Sequence, residues 1–332
     1  MGGLKVNIFI STEERITPPA VSVVIPTYNR SVLIVNAIES VLHQTYKDYE
    51  IIVIDDGSTD DTRERLKPYM NSIRYYYQEN CGASAAQNAG VRAAIGKWIS
   101  ILGSDDIWHP TKLKRQFEVL AALGTEYGAC VTNCNYIGHS DMSSTVFDEA
   151  GIKTAQEFGP LDNPIQYIVK ENGICVQSLL VLRSLFNELG GFDENLGLSE
   201  DRDLIFRLSF KTKFCFISTP LVSIDRTPDV QRLTGLLSRK DDRTFAWLEL
   251  AHKRMLSQSK RMDRKTRDII QDELINIYYG WAKERIGRAR LFIAVLIINK
   301  IHGMGQTYPR IIWTLLISAI KKIVRGTQHR TI

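Results

Sequence analysis

Paired cysteines are missing from this chain: five are present, an odd number, and no C-x-x-C pair occurs because Cys130 and Cys134 stand one residue too far apart. That excludes a disulfide scaffold and the usual zinc sites, and it points to a reducing, cytosolic compartment. No uncharged apolar run reaches the roughly 18 residues of a membrane span, and the N-terminus lacks a basic-then-apolar signal pattern. Met1-Gly2 opens like an acylation signal, but Val6 stands where Ser or Thr is wanted. No G-x-G-x-x-G follows the first expected strand, and the stretch from Gly90 to Lys97 has the wrong spacing for a P-loop and lacks its Ser/Thr. Neither an internal repeat nor a low-complexity tract is present.

The 332 residues are ordinary in composition, 44% hydrophobic and 24% charged, which excludes disordered and collagen-like classes. That length suits one large α/β domain with an appendage. The net charge of +5 conceals a split: residues 1–242 hold 24 Lys+Arg against 31 Asp+Glu, and residues 243–332 hold 18 against 6, or −7 and +12. A basic tail on an acidic body expects an anionic partner, membrane lipid or nucleic acid, with a solvated helical face as the plain alternative.

Residues 1–20 read as a leader. Val21 to Ile25 is a β-branched run closed by Pro26, hence a buried strand. Ser31 is placed to cap a helix in which Leu33, Ala37, Ile38, Val41 and Leu42 fall at helical spacing. Tyr49–Ile54 predicts a second strand, followed by a helix capped at Thr59 or Asp60 and running to about Pro68. Ile73–Tyr77 predicts a third strand, 83–95 a helix, Trp98–Leu102 a fourth strand, and Lys112–Leu123 a helix begun near Pro110. Such alternation predicts parallel βαβ units with right-handed crossovers. Residues 125–225 are less regular, with strands expected at 129–133, 176–182 and 214–217 and a helix near 201–210. Beyond 241 four helices are expected, at 241–258, 263–287, 288–301 and 309–325.

Ligands of open α/β sheets bind beyond the carboxyl ends of the strands. Three such ends carry polar clusters: Pro26-Thr-Tyr-Asn-Arg30, Asp55-Asp-Gly-Ser-Thr59 and Gly103-Ser-Asp-Asp106. Alone, the second and third read equally well as capped turns, and Thr27-Tyr28-Asn29 says very little. Together they gather four carboxylates at one sheet edge, where mutual repulsion calls for a cation or for bound donor groups.

Together with Asn80-x-Gly-x-x-x-x-x-Asn88, Gly190-Gly-Phe-Asp-Glu and Ser199-Glu-Asp-Arg-Asp-Leu, these clusters resemble the family 2 inverting glycosyltransferases. The likeness covers about residues 20–225. It implies a GT-A fold, a Rossmann-like α/β architecture with a mostly parallel central sheet, occupying residues 21–240 ahead of an all-helical extension at 241–332. By motif position the resemblance assigns Thr27, Tyr28 and Asp56 to the base and ribose of a nucleotide diphosphate sugar, with Pro26 shaping the turn and Asp55 as a near neighbour. Asp106 would bind Mn²⁺ or Mg²⁺, with Asp105 facing the ribose or a metal-bound water. Asp201 falls on the general base, and Glu200 on an acceptor contact. Two positions depart from the pattern: Gly103 replaces a frequent Asp, which implies weaker metal affinity, and Gln87 replaces a frequent Arg, removing a phosphate contact. His109, Trp108 and Phe192 read as local structure.

The resemblance thus implies single displacement at the anomeric carbon, with a glycan or lipid-linked acceptor and with uridine as the leading base. Related processive synthases carry Q-x-x-R-W and several membrane spans; both are missing, which favours one sugar per encounter. The alternatives are a sugar nucleotidyltransferase, whose N-terminal Gly-rich signature is missing, and a non-catalytic sugar- or lipid-binding scaffold. No nucleic-acid partner is expected, and oligomerisation is left open. In 311–325, Thr314, Ser318, Lys321 and Arg325 form one narrow polar stripe, and Leu291–Ile298 is wholly apolar. Both segments are too short to span a bilayer and are bordered by Lys and Arg. They predict interfacial helices holding a cytoplasmic, peripheral enzyme on the inner face of the plasma membrane, against the alternative of packing on protein.

Overall fold

The computed structural model describes residues 7–9, 17–138, 144–170, 173–227 and 241–287. The chain divides into two compact units, Met1–Pro228 and Asp229–Ile332.

The first unit is built on a mixed ten-stranded sheet. Its parallel half contains β2 (Val21–Thr27), β3 (Tyr49–Asp56), β4 (Arg74–Gln78) and β5 (Trp98–Ile101), with β1 (Asn7–Phe9) antiparallel on the edge beside β4. These strands are buried on both faces because their residues alternate between two cores. Val21, Val23 and Ile25 pack with Ile34, Ala37, Ile38 and Val41 of α1 (Leu33–Leu42), while Val24, Ile52 and Ile54 pack with Ala86 and Val91 of α3 (Ala83–Ala93). Gly90 lets α3 approach this closely, since a Cβ there would run into Val24.

Beyond β5 the directions alternate. β9 (Leu180–Leu182) lies antiparallel between β5 and β7 (Tyr127–Ile137), and β10 (Lys213–Asp225) runs parallel to β7. The short strands β6 (Ile107–Trp108) and β8 (Phe158–Pro160) are both antiparallel to β10. The expected parallel alternation therefore ends at β5, and β10 continues well past its expected end through register shifts around Pro220. One expected cap differs, whereas the Asp60 side chain does accept from the Thr62 amide at 3.0 Å where α2 (Thr62–Leu66) begins. Val32, without a side-chain cap, precedes α1, and α2 is a short helix continued by a 3₁₀ turn. The backbone of Ser31 instead donates to Asp60.

The helices α4 (Lys112–Leu123), α5 (Val146–Glu149), α6 (Ile165–Lys170), α7 (Arg183–Glu188) and α8 (Glu200–Leu208) complete the unit. In the second unit, α9 (Asp242–Ser257) and α10 (Arg264–Gly287) pair through a stack of Phe245 on Trp281 and a bond from the Tyr278 hydroxyl to Glu249. Among the described residues no helix is long and apolar enough to cross a membrane. The helices expected at 288–301 and 309–325 lie outside the described residues.

Candidate active site

Parallel pairing brings the polar strand ends to one edge: Thr27 is opposite Asp55, which is opposite Tyr77. Adjacent residues of a strand point to opposite faces, so Asp55 and Asp56 have different partners. Asp55 accepts from the Tyr75 hydroxyl at 2.7 Å and from the Ser58 amide at 2.8 Å. Burial and this contact push the Tyr75 hydroxyl well above its ordinary pKa. Asp56 accepts from the Gln78 amide at 2.7 Å and from the backbone amides of Cys81 and Gly82 at 2.9 and 2.8 Å. It thereby pins the loop that opens α3, with three of its roughly four acceptor sites taken by protein. Gly57 (φ 83°) makes the turn, and a Cβ there would press on the Asn80 backbone at 2.8 Å.

The loops after β2 and β3 are stitched together: the Asn29 amide donates to the Ser58 hydroxyl and the Thr59 amide to the Asn29 side chain. Beside this seam Tyr28 is 46% exposed, following the half-buried Pro26. The buried Thr27 hydroxyl has no hydrogen-bond partner, nor has the buried side-chain oxygen of Gln87 on α3. Buried polar atoms of this kind are costly unless a ligand or water completes them.

At the end of β5, Asp106 is 3% exposed. Its carboxylate accepts from the Asp225 amide at 3.1 Å, and the Gln177 side chain lies beside it. Burial first, and the charge of Asp105 second, hold its carboxyl well above the usual range. Both carboxylates converge on the Cα of Gly103: a Cβ there would lie 2.6 Å from Asp106 Oδ2 and 3.1 Å from Asp105 Oδ1. A glycine thus makes the space in which two carboxylates crowd one another, and this is the electrostatic situation a hard cation relieves. Among the described residues no group of three or more His, Cys, Asp or Glu side chains could hold a metal unaided. A cation at Asp106 would need oxygens from phosphate or water to complete its shell.

The third cluster opens α8. Ser199 takes a left-handed conformation (φ 65°) ahead of Glu200 and Asp201, which are both half-buried. Asp201 accepts from the Arg202 amide at 2.7 Å. Burial, then the neighbouring Asp201, raise the Glu200 carboxyl well above its ordinary pKa. Asp203 is committed to Arg207 at 2.7 Å, and Arg207 also donates to the carbonyls of Leu189 and Gly191. Asn88 seals the same loop, exchanging bonds of 2.9 Å with both backbone groups of Phe192 and donating to Glu194. The glycine-rich motif at 190–194 is therefore tied to α3 through Asn88 and to α8 through Arg207.

His109 bonds the Thr111 hydroxyl at 3.0 Å, and Trp108 and Phe192 are buried. Gln177 and Asp225 were not legible as site residues. Gln177 is one polar residue in an apolar run expected to be strand, and Asp225 contributes a backbone amide, which no side-chain pattern reveals.

A family model described as Glycosyl transferase family 2 matches residues 22–175. An uncharacterised glycosyltransferase of Rickettsia prowazekii is 30% identical over 71% of this chain and 72% of its own length. Among solved structures, Staphylococcus aureus TarS 1–349 in complex with UDP-GlcNAc superposes with a TM-score of 0.58 at 14% identity, covering 87% of this chain and 93% of its own. The mannosyltransferase PcManGT of Pyrobaculum calidifontis, in complex with GDP-Man and Mn²⁺, gives a TM-score of 0.54 at 18% identity, covering 94% and 88%.

Proposed function

The chain belongs to glycosyl transferase family 2 and has the GT-A fold, and from that premise we propose that it moves one sugar from a nucleotide diphosphate sugar to a hydroxyl of a glycan or lipid-linked acceptor, with inversion. The observation that carries the reading is the convergence of the Asp105 and buried Asp106 carboxylates on Gly103. Thr27 and Tyr28 receive the nucleotide base, Thr27 through a hydroxyl with no protein partner and Tyr28 through an exposed ring. Asp55 and Asp56 build the floor of that pocket, and Asp56 keeps about one acceptor site for the ligand. Asp106, with Asp105 beside it, fits Mn²⁺ or Mg²⁺, which would neutralise the departing diphosphate.

Asp201 takes the proton of the attacking hydroxyl, a role that needs one carboxylate within hydrogen-bond reach and no covalent intermediate. Glu200, whose carboxyl is raised by burial and by the neighbouring Asp201, contacts the acceptor. The neighbours seen with UDP-GlcNAc and with GDP-Man support a nucleotide-sugar donor, and uridine remains the leading base. Calorimetry with donor and Mn²⁺ tests the reading. Asp106→Ala should abolish metal-dependent donor binding, and unchanged affinity would show the assignment wrong. Release of nucleoside diphosphate by the wild type separates this reading from a non-catalytic scaffold.

A further inference from the structure

Lys112 is fully buried, yet its ammonium donates to neutral acceptors and to no carboxylate. Its ammonium donates to the Ser100 hydroxyl at 3.1 Å and to Gln116 Oε1 at 3.0 Å, and it sits 3.9 Å from the centre of the Trp108 ring. Each of these three partners then spends a donor on one short segment. The Trp108 indole N–H donates to the carbonyl of Gln177 at 3.1 Å, Gln116 to that of Ser178 at 2.9 Å and Ser100 to that of Leu179 at 2.6 Å. Gln116 also donates to the Cys130 carbonyl at 2.9 Å, so both its amide hydrogens are used and the ammonium fixes which way round the amide lies.

Three successive carbonyls are thus held by buried side chains, and the ammonium organises all three donors. The segment so held is the 3₁₀ turn Val176–Ser178, whose Gln177 side chain lies beside the Asp106 carboxylate. A core that needed only apolar packing would not pay for a buried ammonium, whose desolvation costs several kcal/mol.

We propose that Lys112 is a positioning residue of the donor site: through Trp108, Ser100 and Gln116 it holds the 176–179 segment so that Gln177 orients the Asp106 carboxylate for its cation. This rests on the reading of Asp106 as the cation's carboxylate.

The test is a calorimetric titration of Mn²⁺ into the full chain with UDP or GDP present, read as cation affinity and independent of turnover. Lys112→Met should weaken Mn²⁺ about tenfold, a shift of about 1.4 kcal/mol. In a Gln177→Ala background the same change should add nothing, which a loss of general stability would not produce. Trp108→Phe keeps a ring beneath the ammonium and removes the N–H to Gln177; it should weaken Mn²⁺ in the same direction, and it serves if Lys112→Met does not fold. Wild-type affinity in the folded variants, or an equal loss with and without Gln177, would overturn the proposal. A wild-type chain that takes no Mn²⁺ with either nucleotide would instead fail the reading of Asp106 on which the proposal stands.

Discussion

A lysine with no water around it must hold its proton less firmly, and burial brings the Lys112 ammonium down to about 7. In the unfolded chain the same group keeps its ordinary high value, so at intermediate pH the unfolded state binds more protons and stability rises with pH. The neighbouring thiols are raised too, Cys130 chiefly by burial and Cys134 by its contact with Cys175 and then by burial, and they pull stability the other way in alkali. Their contribution is largely shared by a Lys112→Met variant, so the difference between the two proteins isolates the lysine. Urea unfolding at about pH 7 and about pH 9.5 should show the wild type gaining on the variant as pH rises. Parallel behaviour would mean that Lys112 is not buried as an isolated cation. At the same scale, Gly103 has a meaning that its sequence position alone does not disclose. Read as a lost carboxylate, it implied a weaker site; in the structure it is the floor on which Asp105 and Asp106 meet.

At the scale of elements, the parallel half of the sheet was legible because β-branched runs end abruptly in Pro26-Thr27, Asp55-Asp56 and Gly103–Asp106, and parallel strands place those ends together. The other half was not, for a physical reason seen in Val176–Leu182. This run has strand composition throughout, but Trp108, Gln116 and Ser100 capture the carbonyls of residues 177–179 from distant parts of the chain and bend its first half into a 3₁₀ turn. Local pattern cannot report donors that arrive from β5, β6 and α4. The glycine-rich loop at 190–194 shows the converse, since its motif was visible while its partners Asn88 and Arg207 became evident only in space. Asn88→Ala would leave both backbone groups of Phe192 buried without a partner, at about 1–3 kcal/mol for each unsatisfied group. Urea unfolding should register a loss of that order, together with lower turnover because the loop carries α8. A fully stable and active variant would show that the loop is held by other means.

For the whole molecule, the charge split sets the acidic sheet unit apart from a basic C-terminal region. Within that region α9 and α10 bury their facing residues on each other, so an apolar face on a helix here does not by itself demand lipid. From the sequence pattern alone, the polar residues spaced through 311–325 and the apolar run at 291–298, which lie outside the described residues, lead us to propose membrane attachment near a lipid-linked acceptor. Each basic residue close to an anionic surface contributes on the order of 1 kcal/mol. Full-length protein should float with anionic liposomes in a density gradient, whereas protein that stays at the bottom and is monodisperse without detergent would mean that these segments pack on protein.

The central claim is that Asp201 removes the acceptor proton while a separate cluster at Asp105 and Asp106 holds the donor, so chemistry and donor binding must be separable. The measurement is release of nucleoside diphosphate from the nucleotide sugar with Mn²⁺ and acceptor, made on wild type and on Asp201→Asn beside donor affinity for both. Turnover should fall by roughly two to four orders of magnitude in the variant, the usual span of general-base catalysis, with donor affinity unchanged. Near-normal turnover in the folded variant, or a loss of donor affinity that accounts for the loss of rate, would contradict it.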